Sequence, residues 1–141
     1  MLRLVLLVLI AVPAAAATTG DQRYARANAR LAHATPAYPH ARLLVEEPIG
    51  GEVGTTPFEA VQRISALARP ATQRQVMRFY ARTLGPGWQR RGTGCLVSGS
   101  KLVVALVGPK RRLGVLVDSR GARRCVGLGG ILGDLLGVGY P

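Results

Sequence analysis

The residue types of a nucleophilic triad occur in this chain as one set: Ser98 or Ser100, His40 and Asp118. In such a triad the histidine takes the proton of the hydroxyl group, and the carboxylate orients the histidine. The chain has no G-x-S-x-G elbow, and Val97–Ser100 has the sequence V-S-G-S, which is typical of a turn. The sequence therefore indicates a protein that is not an enzyme, with an undetected hydrolase as an alternative.

The other residues that could do chemistry are sparse. A glycosidase needs two carboxyl groups that face each other, whereas Glu46 and Glu47 are adjacent and would point to opposite faces of a strand. His33 and His40 are far in sequence from both cysteines, and there is no C-x-x-C motif. There is also no glycine pattern that could bind phosphate groups. We expect neither a metal nor a cofactor.

The N-terminus has the three parts of a secretory signal peptide. Arg3 gives a basic start, Leu4–Val12 is an unbroken apolar run, and Pro13 precedes the small residues Ala14–Ala17. The apolar stretch is shorter than the about 20 residues of a membrane-spanning helix, and no cysteine follows for a lipid anchor. We expect a secreted or periplasmic protein that is cleaved near Ala15–Ala17, with an uncleaved anchor or a mis-assigned start of the chain as the alternatives.

Cys95 and Cys125 are the two cysteines of the chain, and an even pair in an exported protein favours a disulfide. In a simple meander their strands would be about 14 Å apart, which exceeds the roughly 7 Å between Cα atoms that a disulfide tolerates. We therefore predict that the segment with Cys125 leaves the meander and crosses back to Cys95. Two free thiols are the alternative.

The clearest secondary-structure signal is a helix over residues 72–84. Thr72 and Gln75 form a capping-box pattern, and Gly85-Pro86 can end the helix. A second, alanine-rich helix is expected over residues 21–34. Residues 41–47 are predicted as a strand and residues 48–57 as a loop. Residues 58–68 favour a strand, although their spacing also fits a helix.

Beyond Trp88 the apolar pattern changes to a period of two. It predicts a short strand over 95–97 and a hairpin of strands 101–107 and 113–118. Residues 126–141 contain Gly129, Gly133 and Gly137 as G-x-x-x-G-x-x-x-G. We expect these residues to form a flexible or loosely docked tail, with a packing face for a partner or membrane as the alternative.

Together these signals predict a signal peptide over residues 1–17, one α+β domain over 18–125, and a glycine-rich apolar tail over 126–141. The domain would be a small antiparallel sheet with the 72–84 helix packed on one face, plus a short N-terminal helix.

The chain is strongly basic, with 19 lysines and arginines against 7 aspartates and glutamates and a net charge of +12. A GC-rich genome raises arginine, alanine, glycine and proline together, so codon bias alone can explain the charge. Attraction to an anionic envelope polymer or a membrane surface is the functional alternative. Nucleic acid is disfavoured, because the predicted strands 101–107 and 113–118 carry no aromatic residues for base stacking. The candidate contact residues are Arg74, Arg78, Arg82, Arg90, Arg91, Lys110, Arg111 and Arg112.

Residues 72–88, T-Q-R-Q-V-M-R-F-Y-A-R-T-L-G-P-G-W, resemble a segment of small exported or lipid-anchored bacterial proteins of actinobacterial type. In that group a helix ending in F-Y-x-x-x-L is followed by glycine, tryptophan and a strand hairpin, and Ala37–Ala41 is similar to the entry into their first strand. The resemblance covers about residues 36–118. It implies a topology and export, but no reaction. We therefore expect an exported, non-enzymatic interaction or structural protein of the cell envelope or exterior.

Overall fold

The computed structural model describes residues 19–53 and 56–140, so the predicted signal peptide lies outside the described residues. These ranges contain three helices, α1 (Thr19–Ala34), α2 (Gln73–Leu84) and α3 (Cys125–Leu136). They also contain one antiparallel sheet with strands β1 (Arg42–Val53), β2 (Thr56–Ala66), β3 (Gln89–Arg91), β4 (Cys95–Ser98), β5 (Lys101–Val107) and β6 (Arg112–Asp118). The predicted α+β class is confirmed.

The strand order is β1-β2-β6-β5-β4-β3. After β2, the chain passes through α2 to the far edge of the sheet and returns as a meander from β3 to β6. The last strand of this meander pairs with β2, for example Ile64 with Gly114. The sheet therefore has two edges, β1 and β3, which belong to different halves of the chain.

Helix α2 packs on one face of the sheet together with the end of α1. The capping box at Thr72 and Gln75 is present. Val76, Met77 and Tyr80 are buried against residues of β4, β5 and β6. The predicted helix over 72–84 is thus confirmed, and its outer face carries the arginines.

Helix α3 packs on the opposite face, so the prediction of a flexible or loosely docked tail was wrong. Leu128, Leu132 and Leu136 are buried in a second core cluster. Gly114 in β6 allows this close approach, because a Cβ atom there would lie 2.7 Å from the side chain of Leu132. Helix α3 contains four glycines, which have a low helix propensity, so the local sequence does not predict this helix.

The glycine motif serves a contact within the chain. The Tyr140 ring lies where a Cβ atom on Gly129 would come within 2.6 Å of it. The Val138 amide donates to the carbonyl of Gly133 at 2.9 Å. The small residues of α3 thus let residues 138–140 fold back over the helix, as close-packed glycines do between helices.

The predicted loop over 48–57 was also wrong, because β1 continues to Val53 and β2 begins at Thr56. Pro48 pairs with Val61 on the edge strand, where a missing N–H costs no bond within the sheet. The preference for a strand over 58–68 is confirmed, since β2 covers most of this range.

The predicted disulfide between Cys95 and Cys125 is confirmed, with an S–S length of 2.05 Å and a Cα–Cα distance of 5.9 Å. Cys95 begins β4, and Cys125 begins α3 after the chain has left β6. The crossing predicted from strand spacing is therefore made by residues 119–124, and α3 begins where this connection reaches β4.

Candidate functional site

The structure does not assemble the candidate triad. His40 lies beside Ala66 and Arg111, at the start of β6. Asp118 is the last residue of β6, about 20 Å away along the strand. Ser98 pairs with Lys101 near the Asp118 end of the sheet, so the histidine is separated from both possible partners.

The adjacent glutamates point to opposite faces, as predicted. Glu46 accepts a hydrogen bond from Arg63 at 2.9 Å, whereas Glu47 accepts one from Gln62 at 2.7 Å on the other side of the sheet. Within residues 19–53 and 56–140, no group of three or more histidine, cysteine, aspartate or glutamate side chains could hold a metal ion.

Four of the candidate arginines meet in one groove. Arg74, Arg78 and Arg82 of α2 and Arg90 of β3 line it together with Ala81. The groove has a volume of about 480 Å³ and runs between the helix and the edge strand. We call it the arginine groove.

The helix sets the spacing of three of these side chains. Positions i, i+4 and i+8 lie on nearly one line, with about 6 Å of helix rise between neighbours. This places the guanidinium groups of α2 in a row, which the sequence predicts from the same spacing.

Arg90 and Arg91 are adjacent in sequence but serve opposite faces. Arg90 pairs with Leu96, which belongs to the core on the α2 side. Arg91 pairs with Cys95, which lies in the core on the α3 side, and its guanidinium donates to the carbonyl of Ala122 at 3.4 Å. Strand β3 thus delivers only Arg90 to the arginine groove.

The first residue of α2 fixes the helix to the sheet. The Gln73 amide nitrogen donates to the carbonyl of Ala105 at 2.7 Å, and its amide oxygen accepts from the Val107 backbone at 2.9 Å. These two bonds continue the hydrogen bonding along the edge of β5 past the point where its neighbour β4 begins. They hold the arginine row at a fixed height over the sheet, a role for Gln73 that nothing in the local sequence indicates.

No carboxylate lines the arginine groove. In the described part of the chain, the one ion pair joins Arg63 to Glu46, near the opposite edge of the sheet. The four groove arginines are solvent-exposed. Like charges held this close raise the local positive potential, which an anion would lower.

The remaining candidates, Lys110, Arg111 and Arg112, lie apart from the groove at the tip of the β5–β6 hairpin. Arg111 donates to the carbonyl of Ala68 at 3.1 Å. Arg112 is the half-buried first residue of β6. The basic candidates therefore form separate patches rather than one continuous stripe.

Asp118 belongs to a group of hydrogen-bonded residues between α1 and the sheet. It is fully buried and accepts a hydrogen bond from the Tyr24 hydroxyl at 2.5 Å. Burial, together with this bond, raises the pKa of Tyr24 to about 12. Asn28 accepts from the Ser119 amide at 2.6 Å and donates to the carbonyl of Glu59. These contacts hold α1 on the sheet.

Comparison with known proteins finds no matching family model, no matching curated protein and no matching solved structure. The resemblance to exported bacterial domains therefore stays a prediction. Among the described residues, no helix is both long enough and apolar enough to cross a bilayer. The disulfide indicates an oxidising, extracytoplasmic compartment.

Proposed function

We propose that this chain is an exported bacterial protein that binds a linear polyanion of the cell envelope or exterior, without catalysing a reaction. The observation that carries the proposal is the arginine groove, in which four guanidinium groups share one depression with no carboxylate among them. The predicted signal peptide, with cleavage near Ala15–Ala17, and the disulfide support the compartment.

The shape of the site favours a chain-like ligand over a flat one. A groove between a helix and an edge strand can enclose a polymer, whereas a planar membrane would contact only the outermost side chains. Each guanidinium group can bind a phosphate or carboxylate through two parallel hydrogen bonds. A polymer with an anionic group in every repeat could therefore engage several arginines in register.

The lining residues also bear on the class of polymer. The groove residues include no aromatic side chain on which a nucleobase could stack. Phosphodiester or uronate polymers need no such platform, because their recognition rests on charge and guanidinium geometry. We therefore propose a polymer of this kind as the partner.

The test compares two variants that remove the same charge. Arg74→Gln/Arg78→Gln/Arg82→Gln removes three groove arginines, and Arg23→Gln/Arg26→Gln/Arg30→Gln removes three exposed arginines of α1. Binding to phosphocellulose is measured over a range of salt concentrations. We expect the groove variant to bind at least about tenfold more weakly, with a salt slope lower by about two to three, and the α1 variant to stay close to the wild type.

Equal losses in both variants would show that the attraction is only diffuse and would contradict the proposal. Vesicles of phosphatidylcholine and phosphatidylglycerol form the second arm of the experiment. Tight binding to these vesicles together with no retention on phosphocellulose would replace the polymer with a membrane surface.

A further inference from the structure

A second concave site lies at the end of the sheet where the β5–β6 hairpin turns. A cavity of about 540 Å³ opens between the α1–β1 and β2–α2 connections. A cleft of about 380 Å³ adjoins it, and the two share His40, Leu67 and Ala68 as lining residues. We call the pair the end cavity.

The end cavity has an apolar wall and a cationic wall. Leu67 is 5% exposed, and the Tyr38 ring is held by an edge contact with Phe79 at 5.1 Å between ring centroids. No acidic residue lines either part. The cationic side chains at the rim are Arg42, Arg69, Lys110 and Arg111.

The backbone is strained at this site. Within the described residues, positive φ angles outside glycine occur at His40 (59°), Lys110 (57°) and Arg111 (56°), and all three residues line the end cavity. Such angles are unfavourable for residues with a Cβ atom. Their concentration at one site is typical of a binding site, where function rather than stability selects the residue.

The turn of the β5–β6 hairpin is the clearest case of this backbone strain. The Arg112 amide donates to the carbonyl of Pro109 at 3.2 Å, so Lys110 and Arg111 are the central residues of the turn. Turns with two positive φ angles strongly prefer Asn-Gly at these positions. This chain places two cations there instead.

The cationic wall is also held in place. The Leu67 amide donates to the carbonyl of Arg111 at 2.8 Å, and the Arg111 guanidinium returns a bond to the carbonyl of Ala68 at 3.1 Å. The hairpin tip is thereby tied to the connection that forms the apolar wall. A ligand would meet both walls in a fixed relation, which lowers the entropic cost of binding.

We propose that the end cavity binds a small organic anion, one that joins a phosphate or carboxylate group to an apolar ring. The ring would lie against Tyr38 and Leu67, and the anionic group would face Arg42 and Lys110. This site is distinct from the arginine groove. Arg74 lines the groove and Gln75 lines the end cavity, so the first turn of α2 separates them.

The test uses the disulfide-bonded protein and phenyl phosphate as the probe, with backbone amide NMR shifts as the readout. We expect shifts confined to residues 38–42, 67–71 and 108–112. Inorganic phosphate has only the anionic group of the probe, and phenol has only its ring. Each should therefore bind at least about tenfold more weakly than phenyl phosphate.

Lys110→Gly combined with Arg42→Gln is the informative variant. Glycine accepts the positive φ of position 110, so we expect an unchanged or higher melting temperature together with at least about fivefold weaker binding of phenyl phosphate. Lys101→Gln removes one exposed charge from the other end of β5 and is the control.

Three results would overturn the proposal. They are no binding up to about 10 mM phenyl phosphate, equal binding by the wild type and the Lys110→Gly/Arg42→Gln variant, or shifts centred on the arginine groove. The groove variant Arg74→Gln/Arg78→Gln/Arg82→Gln should bind phenyl phosphate normally. Failure of this proposal is therefore distinguishable from failure of polyanion binding.

Discussion

Two buried tyrosines show how single hydroxyl groups differ in this protein. The Tyr24 hydroxyl donates to Asp118, whereas the Tyr80 hydroxyl has no hydrogen-bond partner among the described residues. Burial is the largest cause that raises the pKa of each tyrosine from 10.0 to about 12. The two pKa values are therefore raised alike, although within the described residues the Tyr24 hydroxyl is hydrogen-bonded and the Tyr80 hydroxyl is not.

The raised pKa values predict a loss of stability at alkaline pH. In the unfolded chain both tyrosines ionise near pH 10, but in the folded protein they keep their protons to about pH 12. The folded state then binds more protons than the unfolded state, so the free energy of unfolding falls as the pH rises from about 10 to about 12. The expected fall is up to about 3 kcal/mol per tyrosine, measured by urea unfolding at each pH.

Tyr80→Phe separates the two tyrosines. Removing an unsatisfied buried hydroxyl should leave stability at neutral pH unchanged or raise it by up to about 1 kcal/mol, and should make the alkaline fall shallower. A loss of more than about 2 kcal/mol at neutral pH would mean that the hydroxyl is bonded after all.

At the scale of elements, α3 depends on glycines with different surroundings. A Cβ atom at Gly129 would clash with the Tyr140 ring, whereas one at Gly130 would have nothing within 4 Å. Both residues are inside the same helix, so their intrinsic helix propensities are alike.

Paired alanine substitutions should therefore have opposite effects. Gly130→Ala should raise the free energy of unfolding by up to about 1 kcal/mol through helix propensity alone. Gly129→Ala should lower it by about 1–3 kcal/mol, because the Tyr140 ring must move. Urea unfolding measures both, and the NMR shifts of the Tyr140 ring protons report the displacement. A stabilising Gly129→Ala would refute the packing of residues 138–140 on α3.

The local sequence predicts the elements that have distinctive capping residues or a regular spacing of apolar residues. Capping residues define α2, and alternating apolar residues define the β5–β6 hairpin. Helix α3 was missed because its glycines disfavour a helix in isolation, and its stability comes from packing on the apolar face of the sheet, which no local pattern shows. The arginine row was predictable from spacing, but Arg90 joins it through the strand order, which no local pattern encodes.

At the scale of the molecule, the sheet is covered on both faces, and the disulfide joins β4 to the start of α3. Cys95 and Cys125 are separated by 30 residues. Closing a loop of this length restricts the unfolded chain. The bond also holds the first turn of α3 against β4, so the second core cluster depends on it.

Replacing both cysteines tests this dependence. Cys95→Ser/Cys125→Ser should lower the free energy of unfolding by about 2–4 kcal/mol, measured by urea unfolding. The wild type should contain no reactive thiol and should migrate faster on a gel before reduction than after it. Unchanged stability in the double variant would show that α3 docks without covalent help.

The strand order also separates charge. Glu46, Glu47 and Glu59 lie on β1 and β2, whereas the arginine groove lies beside β3, about 19–24 Å away across the sheet. An anionic polymer that approaches β3 therefore meets the groove arginines before any carboxylate of β1 or β2. The opposite edge of the sheet, β1, carries the exposed Leu43 and Val45.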